Sequence, residues 1–358
     1  MNVCLNMIVK NEADVLPRCF ASLRDHIDSW VIVDTGSTDG TQEIVRRELS
    51  GIPGELHERP WVNFGHNRTE ALELAKAKAD YTLIVDADEV LEFEPGFTWP
   101  SGADLYEILV DLGGTQYYRA NLLRAALPWR YLGVLHEVPV CPEVKTTGKC
   151  AGLVNRPHAD GARSKDPNKF RRDAERIEYE LSVNDCGDLR PRYLFYLAQS
   201  WRDCGEYALA RKWYTLRAST SGFVEETWYA AYQAAQMTEA LGLHDEVAGY
   251  YLKAYEARPT RAEPLYALAR YLRLREKYAQ AVVFAEAARR MPWPSDILFV
   301  DSSVYIWRAH DEFAISAFYA GRKGDAVQAN EMLLTLPIPD GERERITNNL
   351  AMCRAGAP

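Results

Sequence analysis

The sequence predicts two folds in series: an α/β domain with a mostly parallel sheet over residues 1–167, then an all-helical repeat domain over residues 168–358. Three observations predict this. Short apolar runs rich in β-branched residues alternate with amphipathic stretches up to Glu89, the rhythm of a parallel sheet with crossover helices. Polar clusters follow those runs at their C-terminal ends, where open α/β sheets bind ligands. From Asn168 onward the strand patterns stop, and small residues and prolines recur at a fixed offset. Ala248 and Ala281, Ala254 and Ala287, and Pro259 and Pro292 are each 33 residues apart.

Composition narrows the class. A chain of 358 residues has room for two cores, and 47% hydrophobic with 26% charged residues excludes wholesale disorder. A net charge of −9 argues against a surface given over to nucleic acid, although a local basic groove is compatible with it. The seven cysteines are scattered with no CxxC pair, which fits reduced thiols and a cytoplasmic protein. No stretch reads as a signal peptide or reaches transmembrane length.

In chain order, Val3 to Val9 reads as a buried strand, broken by Lys10-Asn11-Glu12, with helical spacing from Glu12 to Leu23. Trp30 to Val33 is a second strand. Asp34-Thr35-Gly36-Ser37-Thr38-Asp39-Gly40-Thr41 then turns into a helix over Thr41 to Glu48, with Ser37, Thr38 or Asp39 as N-cap. A third strand near Glu55–Glu58 precedes a helix expected over His66 to Ala79. The fourth strand stops at Asp86-Ala87-Asp88-Glu89. Strand alternation would put Asp86 and Asp88 on one face. Like charges that close call for a cation, and oxygen ligands favour Mg²⁺ or Mn²⁺. A parallel sheet brings Lys10-Asn11-Glu12, Asp34 and the Asp86 cluster to one edge. Tyr106 to Val110 and Tyr117 to Leu123 follow as a hairpin around Gly113-Gly114.

Asn6-Met7-Ile8-Val9-Lys10-Asn11-Glu12, Asp34 to Thr41, and Asp86-Ala87-Asp88-Glu89 resemble, in order and spacing, the successive signatures of family 2 glycosyltransferases. The resemblance implies a GT-A fold and inverting transfer of a hexose from a nucleotide-diphospho-sugar, a UDP-sugar above all. It implies a donor site of Val9, Asn11, Glu12, Asp34, Gly36, Ser37, Asn67, Arg68, Asp86, Ala87 and Asp88. Within it Asp34 would receive the base and Glu12 or its backbone the ribose. Asp86 would lie near ribose and metal-bound water, and Asp88 would ligate Mn²⁺ or Mg²⁺. In Gly133-Val134-Leu135-His136-Glu137, on the acceptor side, Glu137 is the expected base and His136 its rival. His158 would complete the metal shell, and Arg163 and Lys165 would close a loop over the diphosphate.

The helical half is similar to tetratricopeptide repeats, with inter-helix turns at Gly205, Gly242, Glu276 and Gly321 and an interruption at Pro292-Trp293-Pro294. Its aromatics, Trp201, Trp213, Tyr214, Trp228, Tyr229, Tyr232, Tyr250, Tyr251 and Tyr255, read mostly as core. Such repeats imply a protein or other macromolecular partner, and the acceptor itself stays open among a saccharide, a peptide and a modified base. Two competing readings are set against this one. Nucleotidyl transfer on a similar sheet would call for a glycine-rich basic loop where Lys10-Asn11-Glu12 stands. A non-catalytic scaffold with an inactive transferase domain would be expected to have lost acids, and Asp34, Asp86, Asp88 and Glu137 are all present.

Overall fold

In the computed structural model, which describes residues 1–113 and 115–355, the chain forms two compact units, Met1–Tyr196 and Leu197–Pro358. Gly114, half of the expected hairpin turn, lies outside the described residues. Helices follow one another from Lys169 onward, with a two-residue strand at Val300–Asp301, and the boundary between the compact units falls after Tyr196. The reason is local: the first turns beyond residue 167 are bonded back into the α/β unit, Arg163 to Asp173 and Val134 to Tyr193 among them.

The first unit holds strands β1 (Val3–Val9), β2 (Ser29–Asp34), β3 (Gly54–Glu58), β4 (Tyr81–Ile84), β5 (Glu89–Phe93), β6 (Leu105–Asp111), β7 (Thr115–Arg124), β8 (Arg130–Leu132), β9 (Val138–Val140) and β10 (Thr147–Pro157). Its helices are α1 (Leu16–Leu23), α2 (Thr41–Glu48), α3 (Phe64–Ala75), α4 (Lys169–Val183) and the start of α5 (Arg190–Asp203). The main sheet runs in the order β3-β2-β1-β4-β7-β6-β10-β5. The β3-β2-β1-β4 half is wholly parallel, as expected. Beyond it, β4–β7, β7–β6 and β10–β5 are antiparallel while β6–β10 is parallel, so the sheet is mixed.

Alternation along β1 explains the layers. Val3, Leu5, Met7 and Val9 join a core with Leu16, Cys19, Phe20 and Leu23 of α1 and Val45 of α2. Cys4, on the other face, packs with Val31 and with Ala75 of α3. Asn6 shares that face, and its amide donates to Val31 O (3.2 Å) and Ala71 O (2.9 Å), tying strand to helix. The chain runs outward from β1 to β3 and then returns to β4. The reversal leaves a crevice at the strands' C-terminal ends, where ligands bind in sheets of this kind. Separately, β8 and β9 pair as a small hairpin with residues 133–137 at its tip.

In the second unit, helices α6 (Tyr207–Ala218), α7 (Val224–Ala240), α8 (His244–Ala257), α9 (Glu263–Arg273), α10 (Tyr278–Arg289), α11 (Ala309–Tyr319), α12 (Lys323–Leu333) and α13 (Asp340–Ala355) follow one another. Gly205, Gly242, Glu276 and Gly321 all have positive φ and end α5, α7, α9 and α11 in the same way. Of the nine aromatics, Trp201, Tyr214, Trp228 and Tyr251 are buried and the other five half-buried. The interruption between α10 and α11 is real, and an ionic core holds it. The fully buried Arg261 lies 3.7 Å from the centre of the Trp228 ring and donates to Asp296 (3.0 Å), Glu263 (2.7 Å) and Phe299 O (2.9 Å). Among the described residues no helix is long and apolar enough to cross a membrane, and all seven cysteines are free thiols.

Candidate active site

Two loops at the crevice are laced together. Asp34 ends β2, 1% exposed, with Oδ1 accepting from Gly36 N (2.8 Å) and Ser37 N (2.9 Å). Its other oxygen, Oδ2, is buried without a partner. Buried acceptors are rarely left so. The preceding loop reaches across: Asn11 N donates to Ser37 Oγ (2.8 Å), Thr38 N to Asn11 Oδ1 (2.8 Å) and Glu12 N to Thr41 Oγ1 (2.8 Å). Val9 O accepts from Thr35 N at 2.9 Å. None of the three expected caps holds that place: Gly40, with φ 90°, is the N-cap of α2 and no side chain caps it, while Asp39, one residue earlier, accepts from Thr41 N and Oγ1 at 3.0 and 2.6 Å.

Asp86 and Asp88 do not share a strand face. β4 ends at Ile84, so both lie in the turn before β5, where two-residue alternation no longer applies. They enter different neighbourhoods. Asp88 joins Glu12 beside Gly161: a Cβ placed on that glycine would lie 3.4 Å from Asp88 Oδ2 and 3.1 Å from Glu12 Oε2. Burial, with Asp88's charge adding to it against the Ala162 N–H bond, pushes the Glu12 carboxyl up to about 7. Two acids converging on a glycine-lined gap make a place that a cation would relieve. The backbone of His158 is bonded to Asp88 O (3.0 Å), although its side chain is exposed. Among the described residues no three metal-ligating side chains cluster, so a cation here would draw on water or a bound phosphate for most of its shell.

Asp86 belongs to a different network. Arg68 Nη2 donates to Asp86 Oδ1 (2.5 Å) while its Nε donates to Glu137 Oε1 (2.6 Å). Burial opposes the Asp86 charge, but Arg68 and Arg119 outweigh it and hold the carboxyl below the usual range. Arg119 also pairs with Glu89 (2.5 Å), which is 2% exposed, and Glu89 Oε2 accepts from Asp86 N at 2.9 Å. Arg119 was not among the residues expected from sequence, and Glu89 was expected only as part of the acidic cluster, with no role of its own. Arg119 lies within the β7 pattern, whose alternation gives no hint that it reaches back to the β4 turn. Ala87 is buried in the core between the two acids.

The remaining expected residues fall as follows. Asn67 is fully buried, with Nδ2 on Pro60 O (3.0 Å) and Oδ1 on Val62 N (3.0 Å), so its amide is spent on its own loop rather than offered to a donor. Its neighbour Arg68 does reach the crevice. The His136 ring stacks on Tyr196 at 3.9 Å and 6°. Burial first, then the charges of Arg192, Arg163 and Lys169, push it down to about 3. Arg163 pairs with Asp173 and lies over the Phe64 ring, and Lys165 pairs with Asp14 at 2.8 Å on an exposed surface. The loop expected to close is thus pinned by ion pairs, of which the exposed Lys165 pair is weak.

With this geometry in hand, the chain can be compared with known proteins. Residues 4–95 match the family model described as glycosyl transferase family 2. The chain is 40% identical over 92 residues to a TPR repeat-containing protein of Synechococcus elongatus, covering 26% of this chain and 22% of that one. It is 34% identical over 87 residues to the lipopolysaccharide core biosynthesis glycosyltransferase LpsC of Rhizobium meliloti, covering 24% and 31%. The matched stretches thus span less than a third of either relative. Among solved structures, a tetratricopeptide repeat protein from Parabacteroides merdae matches 53% of this chain and 67% of its own at 15% identity, with a TM-score of 0.40.

Proposed function

We propose that this protein, which carries a family 2 glycosyltransferase domain at its N-terminus, transfers a hexose from a UDP-sugar to an acceptor hydroxyl with inversion. One observation carries the reading: the unpartnered, buried Oδ2 of Asp34 at the mouth of the crevice. It is an acceptor awaiting an N–H donor, which uracil supplies through N3–H, and leaving it unmet costs about 1–3 kcal/mol. The match over residues 4–95 covers Asp34, Asp86 and Asp88.

The chemistry assigned to each residue follows from its surroundings. The Glu12–Asp88 gap suits a Mn²⁺ or Mg²⁺ ion held by Asp88 with His158 alongside, which would neutralise the diphosphate as it leaves. Glu137 takes the role of base. Arg68 occupies one of its oxygens, and a carboxylate has a second with which to accept the acceptor's proton. His136 suits that role poorly, because a ring held neutral down to about pH 3 has little affinity for a proton. Arg68 holds Asp86 and Glu137 in one frame and supplies positive charge beside the donor. Among a saccharide, a peptide and a modified base as acceptor, the role named for LpsC favours a saccharide. The helix pairs would serve acceptor or partner recognition.

Calorimetric titration with UDP, with and without Mn²⁺, tests the reading. Binding should tighten with the metal. Asp34→Ala should weaken it by roughly 10-fold or more, in keeping with loss of a hydrogen bond to a charged acceptor, and Asp88→Ala should remove the metal's effect. Absent or metal-independent UDP binding would favour the scaffold reading instead.

A further inference from the structure

The tip of the β8–β9 hairpin, which carries Glu137, is held in a conformation it would not adopt alone. Gly133 has φ 111° and His136 φ 51°, two left-handed residues within four positions. For histidine that region costs roughly 1–2 kcal/mol, so neighbouring structure has to impose it.

Neighbours grip the tip from two sides. From α3, Thr69 Oγ1 accepts from Tyr131 N (2.9 Å) and Arg68 holds Glu137. Gly65 lets the helix approach so closely that a Cβ there would lie 2.3 Å from Gly133 O. From α5 come three contacts to successive points of the tip. Val134 N donates to the Tyr193 hydroxyl (3.0 Å), and Tyr193 is only 2% exposed. Arg192 Nε donates to His136 O (2.8 Å). The Tyr196 ring lies flat on the His136 ring, and the Arg192 guanidinium sits 4.8 Å from the centre of that same tyrosine ring. Arg192 and Tyr196 are one helical turn apart and so share a face of α5.

We propose that Arg192, Tyr193 and Tyr196 are positioning residues for the reaction: they fix the backbone leading into Glu137, at Val134 and His136, so that its carboxylate meets the acceptor hydroxyl. The proposal rests on the reading of Glu137 as base. His136 is then the handle by which α5 holds the tip. An error of about 1 Å in a reacting group can cost on the order of 100-fold in rate, so a clamp on this loop has kinetic weight.

The test uses the full-length chain and two readouts. The first is hydrogen exchange, followed by mass spectrometry, in peptides spanning residues 133–137. The second is donor hydrolysis with Mn²⁺, using whichever of a panel of UDP-, GDP- and TDP-hexoses the wild type cleaves fastest. Tyr193→Phe, Tyr196→Leu and Arg192→Ala should each speed exchange in that segment and lower kcat by about 10-fold or more, with donor KM unchanged. Tyr196→Phe, which keeps the stacked ring, and Arg192→Lys, which keeps a donor to His136 O, should recover most of both. Glu137→Gln is the control for the underlying reading. If it loses turnover while Tyr193→Phe and Tyr196→Leu turn over at the wild-type rate, or if exchange in the tip is unchanged in both, the positioning proposal is overturned. If Glu137→Gln itself keeps the wild-type rate, the base assignment falls, and with it the kinetic role given to α5.

Discussion

Two positions separate Asp86 from Asp88, yet the structure gives them different company: cations around the first, a second acid beside the other. The difference sets their chemistry, since Arg68 and Arg119 keep Asp86 ionised while Asp88 and Glu12 crowd one gap, where burial and then Asp88's charge push the Glu12 carboxyl up. The same logic, with the sign reversed, governs His136. Its folded pKa, about 3, lies below its ordinary value of 6.5 because burial and three nearby cations disfavour the imidazolium. The unfolded chain therefore binds the proton more readily between those two values. The stability associated with the neutral ring is fully present above pH 6.5 and is lost progressively as pH falls toward 3. Between pH 6.5 and pH 5 the loss would reach at most about 2 kcal/mol, and less because the ring is only half-buried. His136→Asn tolerates the left-handed backbone and does not titrate. Melting temperatures between pH 7 and pH 5 should therefore fall more steeply for the wild type than for the variant. Equal slopes would mean that the imidazole is readily protonated in the fold.

At the scale of elements, the helical unit repeats one device. Gly205, Gly242, Glu276 and Gly321 each have positive φ, and each is followed by an N–H that reaches back to the helix just ended, such as Lys277 N to Leu272 O at 3.0 Å and Arg322 N to Ala317 O at 2.8 Å. This is the glycine-type helix stop, in which a left-handed residue lets the next amides satisfy the last carbonyls. Three of the four positions are glycine, and Glu276 is the exception at φ 58°. Glu276→Gly should therefore stabilise the protein by about 0.5–1 kcal/mol, and Gly242→Ala should cost a similar amount. Urea midpoints at unchanged slope would register both. A destabilised Glu276→Gly would mean that the glutamate side chain is contributing more than its backbone strain costs. These turns could be read in the sequence because a helical period interrupted by glycine is a local signal. The end of β4 could not. An apolar run that continues through Val85 does not reveal that pairing with β1 stops at Ile84, and that is a fact of register between distant strands.

Across the whole α/β unit, what could be read in the sequence was the set of ends, and what could not was the set of cross-links. Strand–helix alternation was enough to bring the loops after β1, β2 and β4 to one edge, because parallel strands leave no other place for them. Arg119, the Gly65–Gly133 approach and the grip of α5 on the tip depend on antiparallel pairings and packings between residues tens of positions apart, and neither periodicity nor spacing encodes those. The convergence makes a demand on the folded molecule. If Asp34, Glu12, Asp88 and the Gly161 turn line a single nucleotide-diphosphate pocket, one ligand must protect all of them at once. UDP with Mn²⁺ at 100 times its Kd would add about 2.7 kcal/mol of stability to the state that binds it. Hydrogen exchange of the full chain should then slow together in peptides covering residues 9–12, 34–41, 86–89 and 158–163, four segments that adjoin only in the fold. Protection confined to residues 34–41 would mean that Asp34 recognises a base without the diphosphate reaching Asp88. In that case the acids around Gly161 would serve some purpose other than donor binding.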